Sequence, residues 1–318
     1  GYTPPQNGDI PEIASYAMNE TPDNVETHNQ NDTPREDYDF TFAVESDTQY
    51  YNEDYDGNTD QSNDGQYQHQ MNIHNWLLGN RQRMNIQYLF HDGDIIDDEP
   101  NIQEWEQADA AYKKLDVAKF PYGVLAGNHD VGHLNGDYSN YTQYFGENRY
   151  LSNPWYGGSY KNNRGHYDLI SVDGIDFIML YMGWGIGDEE IQWMNDVLAQ
   201  YPERKAILNF HEYLLASGGL GEEPQRIYDE VVSKNENVCM VLSGHYHNAK
   251  TRIDTFTNAD GSTRKVYNML FDYQGLMEGG AGYIRLMHFD VEGQRMIVRT
   301  FAPSYGGSDF SNYGDYDA

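Results

Sequence analysis

Aspartate, asparagine and histidine recur in five short clusters: Asp47-Thr48-Gln49, Gly93-Asp94-Ile95-Ile96-Asp97, Gly127-Asn128-His129-Asp130, the isolated His211, and Gly244-His245-Tyr246-His247. Each follows a short apolar run that reads as a buried strand, so each is expected on the loop at that strand's C-terminal end. That edge of an α/β sheet is where such folds carry their sites. Oxygen and imidazole ligands converging from five strand ends suffice to hold two divalent metals. Two metals roughly 3.5–4 Å apart are a device for hydrolysing phosphate esters.

The elements that must position these residues alternate between strand and helix. Phe40–Val44 reads as the strand delivering Asp47, and Ile86–Phe90 as the strand delivering Asp94, with a helix over Tyr67–Met84 between them. A helix over Ile102–Leu115 precedes the strand Tyr122–Leu125, which delivers Asn128 and His129. Residues 131–164 form a long aromatic and Asn-rich insertion, of the kind that usually covers a site. Tyr167–Val172 and Phe177–Met182 pair through the turn Asp173-Gly174. Ile191, Met194 and Leu198 share one helical face, and the helix ends near Tyr201-Pro202. Ala206–Phe210 delivers His211, residues 222–235 are helical, and Val238–Leu242 delivers the last histidines. Three more strands, Val266–Phe271, Tyr283–Asp290 and Met296–Phe301, read as an antiparallel run. The pattern predicts an α/β fold of two packed mixed sheets flanked by helices.

Composition narrows the function. Among 318 residues, 20 Lys and Arg face 51 Asp and Glu, for a formal net charge of −31. Such a surface repels polyanions and lacks the cations whose counterion release drives non-specific nucleic-acid binding. It suits an extracellular or salty medium and keeps a secreted protein soluble. No apolar run approaches the roughly 18 residues that span a bilayer. The chain starts at Gly1 rather than Met, which reads as a processed or trimmed N-terminus and points toward export. Cys239 is the sole cysteine, so no internal disulfide forms, and its apolar run Val238–Leu242 reads as packing. Residues 1–37 read as an acidic arm with Ile10–Met18 as its anchor, residues 38–302 as the main domain, and residues 303–318 as a Gly/Tyr/Asp-rich tail.

The ordered set D-x-H, GD-x-x-D, GNH[DE], H and GH-x-H resembles the signature of calcineurin-like metallophosphoesterases, over residues 40 to about 250. Gln49 departs from it, standing where the family has His. The resemblance implies the αββα sandwich of that family and a binuclear centre. Asp94 would bridge the metals. Asp47, Gln49, Asp94 and His247 would hold the first, and Asp94, Asn128, His211 and His245 the second. A metal-bridging hydroxide would attack phosphorus, with His129 protonating the leaving oxygen and Asp130 orienting its imidazole. Asp97 would act behind Asp94. The neutral amide of Gln49 makes the first site oxygen-rich, which favours Mn or Fe over Zn, with Mg also fitting.

Other residues carry weaker signals. His28, His69, His74, His133 and His288 read as ordinary packing or surface histidines, while His91 and His166 fall near the motifs. Arg164 reads either as a phosphate clamp or as a surface ion-pair partner. Asp54-x-Asp56-x-Asn58-x-Asp60 spaces oxygens like a calcium loop but lacks its Gly and Glu, and Asn258-x-Asp260-Gly261 is weaker still. Asn19, Asn31 and Asn140 begin glycosylation sequons. The 28 tyrosines, several in the arm, the insertion and the tail, could serve packing, sugar binding or self-association through the arm. Two functions therefore stand: a secreted phosphoesterase acting on a small or exposed mono- or diester, and a surface or filament-forming protein on the same scaffold.

Overall fold

A computed structural model describes residues 32–53, 66–132 and 136–305. Ile10–Met18, the calcium-like Asp54–Asp60 segment, Asn19, Asn31, His28 and His133 lie outside the described residues. So does nearly all of the arm through which self-association is expected.

Two mixed sheets stack face to face with helices on both outer sides. The first contains β1 (Phe40–Glu45), β2 (Ile86–His91), β3 (Tyr122–Gly123), β11 (Ile284–Asp290) and β12 (Arg295–Phe301), in the order β12-β11-β1-β2-β3. The second contains β4 (Tyr156–Tyr160), β5 (Gly165–Val172), β6 (Ile175–Met182), β7 (Lys205–Phe210), β8 (Val238–Ser243), β9 (Asn248–Thr257) and β10 (Thr263–Asp272), in the order β4-β5-β6-β7-β8-β10-β9. Helices α1 (Tyr67–Asn80), α2 (Ile102–Val117) and α3 (Ser139–Phe145) cover the first sheet; α4 (Asp188–Gln200) and α5 (Glu222–Ile227) cover the second.

The period-2 geometry of a strand explains this layering. In β1, Phe40, Phe42 and Val44 point into the layer between the sheets, where they meet Phe90, Phe177, Met179, Ile207 and Met287. Ala43 points to the other face, among Ile73, Leu77 and Trp105 of the helices. A strand covered on both faces is apolar throughout, which is why these runs were visible in sequence. The Asp173-Gly174 turn has φ of 52° and 78°, the two positive values a tight type I′ hairpin requires.

Several expectations change. The first helix stops at Asn80 rather than Met84. The third strand pairs only at Tyr122 and Gly123, not over Tyr122–Leu125. The 222–235 helix becomes a π-turn from Tyr228 to Val232. The 131–164 insertion supplies α3 and the edge strand β4, and β9 is a further strand that sequence periodicity missed. The strands β11 and β12 pair antiparallel as expected, but β10 lies in the other sheet, antiparallel to β9 and parallel to β8, with Tyr267 opposite Met240. Residues at both described ends are tied down: Asp32 pairs with Arg83 at 3.0 Å, and Ser304 Oγ meets His69 Nδ1 at 2.6 Å.

Candidate metal centre

Six strand ends meet at one edge of the sandwich, because β1, β2, β3, β7, β8 and β10 run parallel to neighbours within their sheets. The loops that follow are sharply bent. Asp47, Asp94 and His245 hold φ of 53°, 56° and 73°, a region that costs a side-chain-bearing residue energy and that clusters at functional sites. Glycines let these loops close on one another. A Cβ at Gly127 would lie 2.2 Å from Asp94 Oδ1, and one at Gly244 would lie 2.2 Å from Asp47 Oδ2.

His211 is the hub. Its Nδ1–H donates to the Asp92 backbone oxygen at 2.7 Å, which turns the Nε2 lone pair inward. Around that Nε2 lie Asn128 Oδ1, Asp94 Oδ2 and His245 Nδ1, each at 3.1 Å, with Asp47 Oδ1 at 3.9 Å. The ligand atoms of Asp94, His211 and His245 all lie within 4.8 Å of one another. One proton cannot satisfy so many acceptors converging on a point, whereas a cation can.

Electrostatics lead to the same demand. Burial alone would lower the His211 pKa, but the carboxylates of Asp94 and Asp47 reverse this and raise it to about 10. Burial, then the neighbouring Asp272, push the Asp47 carboxyl well above its usual range. Among the described residues no Lys or Arg forms an ion pair with Asp47, Asp94 or Asp272. Gln49 and Asp47 are buried, and Gln49 Nε2 approaches Asp94 Oδ2 at 3.3 Å. Gln49 Oε1 is buried with no donor among the described residues, which leaves a lone pair for a cation. The donor set therefore fits divalent metals. His247 is exposed, and no described hydrogen bond or ion pair joins it to Asp47, Gln49 or Asp94; its charge is felt at Asp272.

His129 lies at the rim, its side chain 38% exposed. Its Nδ1 faces the Asp97 backbone oxygen at 2.8 Å and Asp97 Oδ1 at 3.3 Å. Asp130, expected to orient this imidazole, does something else. Its buried carboxylate accepts backbone N–H groups from Gly127 at 2.8 Å, Ile95 at 2.9 Å and Ile96 at 3.1 Å. It thus stitches the Asp94 loop to the Asn128 loop, and Asp97 is the imidazole's partner.

A buried polar network backs the site. Glu45 accepts from Tyr112 at 2.6 Å and Gln70 at 3.0 Å and pairs with His74 at 2.9 Å. His91 accepts the Gly93 N–H at Nδ1, so its Nε2–H reaches Thr48 Oγ1 at 2.9 Å, between Asp47 and Gln49. His166 is elsewhere, stacked on Tyr181 at 4.3 Å, and Arg164 lies over the Tyr138 ring at 4.1 Å. Cys239 is half-buried, its thiol 3.5 Å from the Ala206 oxygen. Sequence reading missed Asp272 and Gln274, which join the Asp47 side of the cluster, and Trp184, whose ring lies 5.4 Å from that of His245. Leu270-Phe271-Asp272 repeats the apolar-run-then-acid pattern of the other loops, and that was the available signal.

The profile of the calcineurin-like phosphoesterase family matches residues 40–249. A Bacillus subtilis protein, the uncharacterized YvnB, is 48% identical over 283 residues, which is 87% of this chain but 21% of that protein's length. A probable glycerophosphodiester phosphodiesterase, GpdQ of Arcobacter nitrofigilis, is 26% identical over 51% of this chain and 56% of its own. Among solved structures, a dimetal phosphatase from Danio rerio shares the fold with a TM-score of 0.54 at 15% identity, covering 84% of this chain and 97% of that one. No helix among the described residues is long and apolar enough to cross a membrane.

Proposed function

The chain belongs to the calcineurin-like phosphoesterase family, and on that premise we propose that it is a secreted, metal-dependent hydrolase of phosphate mono- or diesters. The observation that carries this reading is the convergence of Asp94, Asn128 and His245 on His211 Nε2, each at 3.1 Å. Asp94, Asn128, His211 and His245 would hold one divalent ion. Asp47, Gln49 and Asp94 would hold the other, with His247 closing that side from the exposed rim. When bound, the ions would polarise the phosphoryl oxygens and lower the pKa of a nucleophilic water. Mn or Fe suits the oxygen-rich first side best.

The chain's own groups supply the remainder. His129 holds one ring N–H on Asp97, so its Nε2 is the end that gives a proton to the leaving oxygen. Its backbone N–H holds Asp94 Oδ1 at 2.9 Å. Asp130 keeps the Asp94 and Asn128 loops in register. Trp184 and the Tyr246–Glu212 pair, joined at 2.8 Å, border His245 and would shape the entry. The glycerophosphodiester relative supports a diester substrate, and the strongly acidic surface supports an extracellular setting. Hydrolysis of a chromogenic phosphodiester with added Mn²⁺, compared with the monoester, tests the reading. No turnover of either substrate at saturating Mn²⁺ would leave the surface-protein alternative.

A further inference from the structure

The loop after β10 brings two side chains to the site that none of the five motifs contains. Because β10 runs parallel to β8, Asp272 arrives at the same sheet edge as His245. Asp272 and Gln274 are both buried. The Asp272 carboxylate is fixed by the Gln274 backbone N–H at 2.9 Å and accepts from Gln274 Nε2 at 2.7 Å. The same Nε2 donates to Asp47 Oδ1 at 3.2 Å. Gln274 Oε1 accepts from Gln49 Nε2, which also faces Asp94 Oδ2 at 3.3 Å.

These contacts fix the direction of two amides. A carboxylate offers only acceptors, so Gln274 must turn its NH₂ toward Asp272 and Asp47. Its oxygen then faces Gln49, and Gln49 must answer with N–H. Flipping the Gln49 amide would set oxygen against Gln274 Oε1 and against Asp94 Oδ2. With its NH₂ so engaged, Gln49 keeps Oε1 buried and, among the described residues, without a donor. An imidazole at this position would present a lone pair by choice of tautomer; an amide has one end that binds a cation and one that repels it.

We infer that Asp272 and Gln274 are positioning residues for a divalent cation on the Asp47–Asp94 side, selecting the amide orientation in which Gln49 offers its oxygen. This rests on the metal-centre reading above. The test uses the full chain, stripped with chelator and titrated with Mn²⁺ by calorimetry, with bound Mn per protein measured by elemental analysis. Gln274→Met, close in volume, is compared with the native chain, with Gln274→Ala as a second variant should the first not fold. Gln49→His and the double variant Gln49→His/Gln274→Met complete a cycle.

The expected result is a weakening of one of two Mn²⁺ sites by about 10–100-fold in Gln274→Met, the range typical for outer partners of metal ligands, with the other site unchanged. In the Gln49→His background the same change should matter far less. Unaltered Mn²⁺ affinity in Gln274→Met, or an equal loss in both backgrounds, overturns the inference while leaving the metal centre intact. A native chain that binds no Mn²⁺ overturns both together.

Discussion

The backbone N–H of His129 donates to Asp94 Oδ1 at 2.9 Å, so the loop carrying the proposed acid is tied to the central carboxylate. A His129→Ala chain keeps that N–H and loses only the imidazole. Its kcat should fall by about 10²–10⁴-fold on an alkyl phosphodiester, the usual span for general acid–base groups, and much less on a nitrophenyl ester whose leaving group needs no proton. Metal content should be unchanged. Steady-state rates across leaving groups, with elemental analysis, check this.

The pH profile should carry the mark of Asp97. Burial alone would lower the His129 pKa, but the nearby Asp94 and Asp97 carboxylates raise it above its ordinary value. A general acid works protonated, so activity should decline as pH rises through that raised value. Asp97→Asn removes one raising charge, and the alkaline limb of kcat/KM should move to lower pH. A limb that stays in place or moves upward would contradict the pairing.

Gly127→Ala and Gly244→Ala test the packing of the loops. Each added Cβ would fall 2.2 Å from a carboxylate oxygen, of Asp94 or of Asp47 respectively. Forced displacement of this kind costs about 1–3 kcal/mol. Both variants should melt earlier than the native chain and bind Mn²⁺ more than tenfold more weakly, as seen by thermal unfolding and calorimetry.

Glu45 should leave a signature in acid. Burial would raise its pKa, yet His74, with His91 and Tyr112, holds it down to about 2 against an ordinary value of 4.5. A depressed carboxylate contributes stability above its unfolded pKa and loses it as pH falls through the folded value. The native chain should therefore lose this contribution between about pH 4.5 and 2, while Glu45→Gln shows a shallower dependence there. Parallel melting curves over that window decide the matter.

Much of this molecule was legible because parallel strands buried on both faces spell themselves as apolar runs, and the Asp, Asn and His loops follow them directly. What was not legible had specific causes. Tyr156–Tyr160, with two glycines, and the polar, exposed Asn248–Thr257 are edge strands with little apolar signal. The direction of β10 depends on its partner β8 rather than on its own residues, and Asp272 and Gln274 went unnoticed with it. His129 and Asp130 are neighbours in sequence, but on their short 3₁₀ turn they diverge, one to the rim and one to backbone amides beneath.

The pair of metals proposed for these residues should be required for phosphoester hydrolysis. Its most direct measurement is phosphodiester hydrolysis by the chelator-stripped chain as Mn²⁺ is added in known equivalents. Turnover should be negligible without metal and should rise to saturation near two equivalents. Turnover indifferent to added metal, or absent at saturating Mn²⁺, would contradict it.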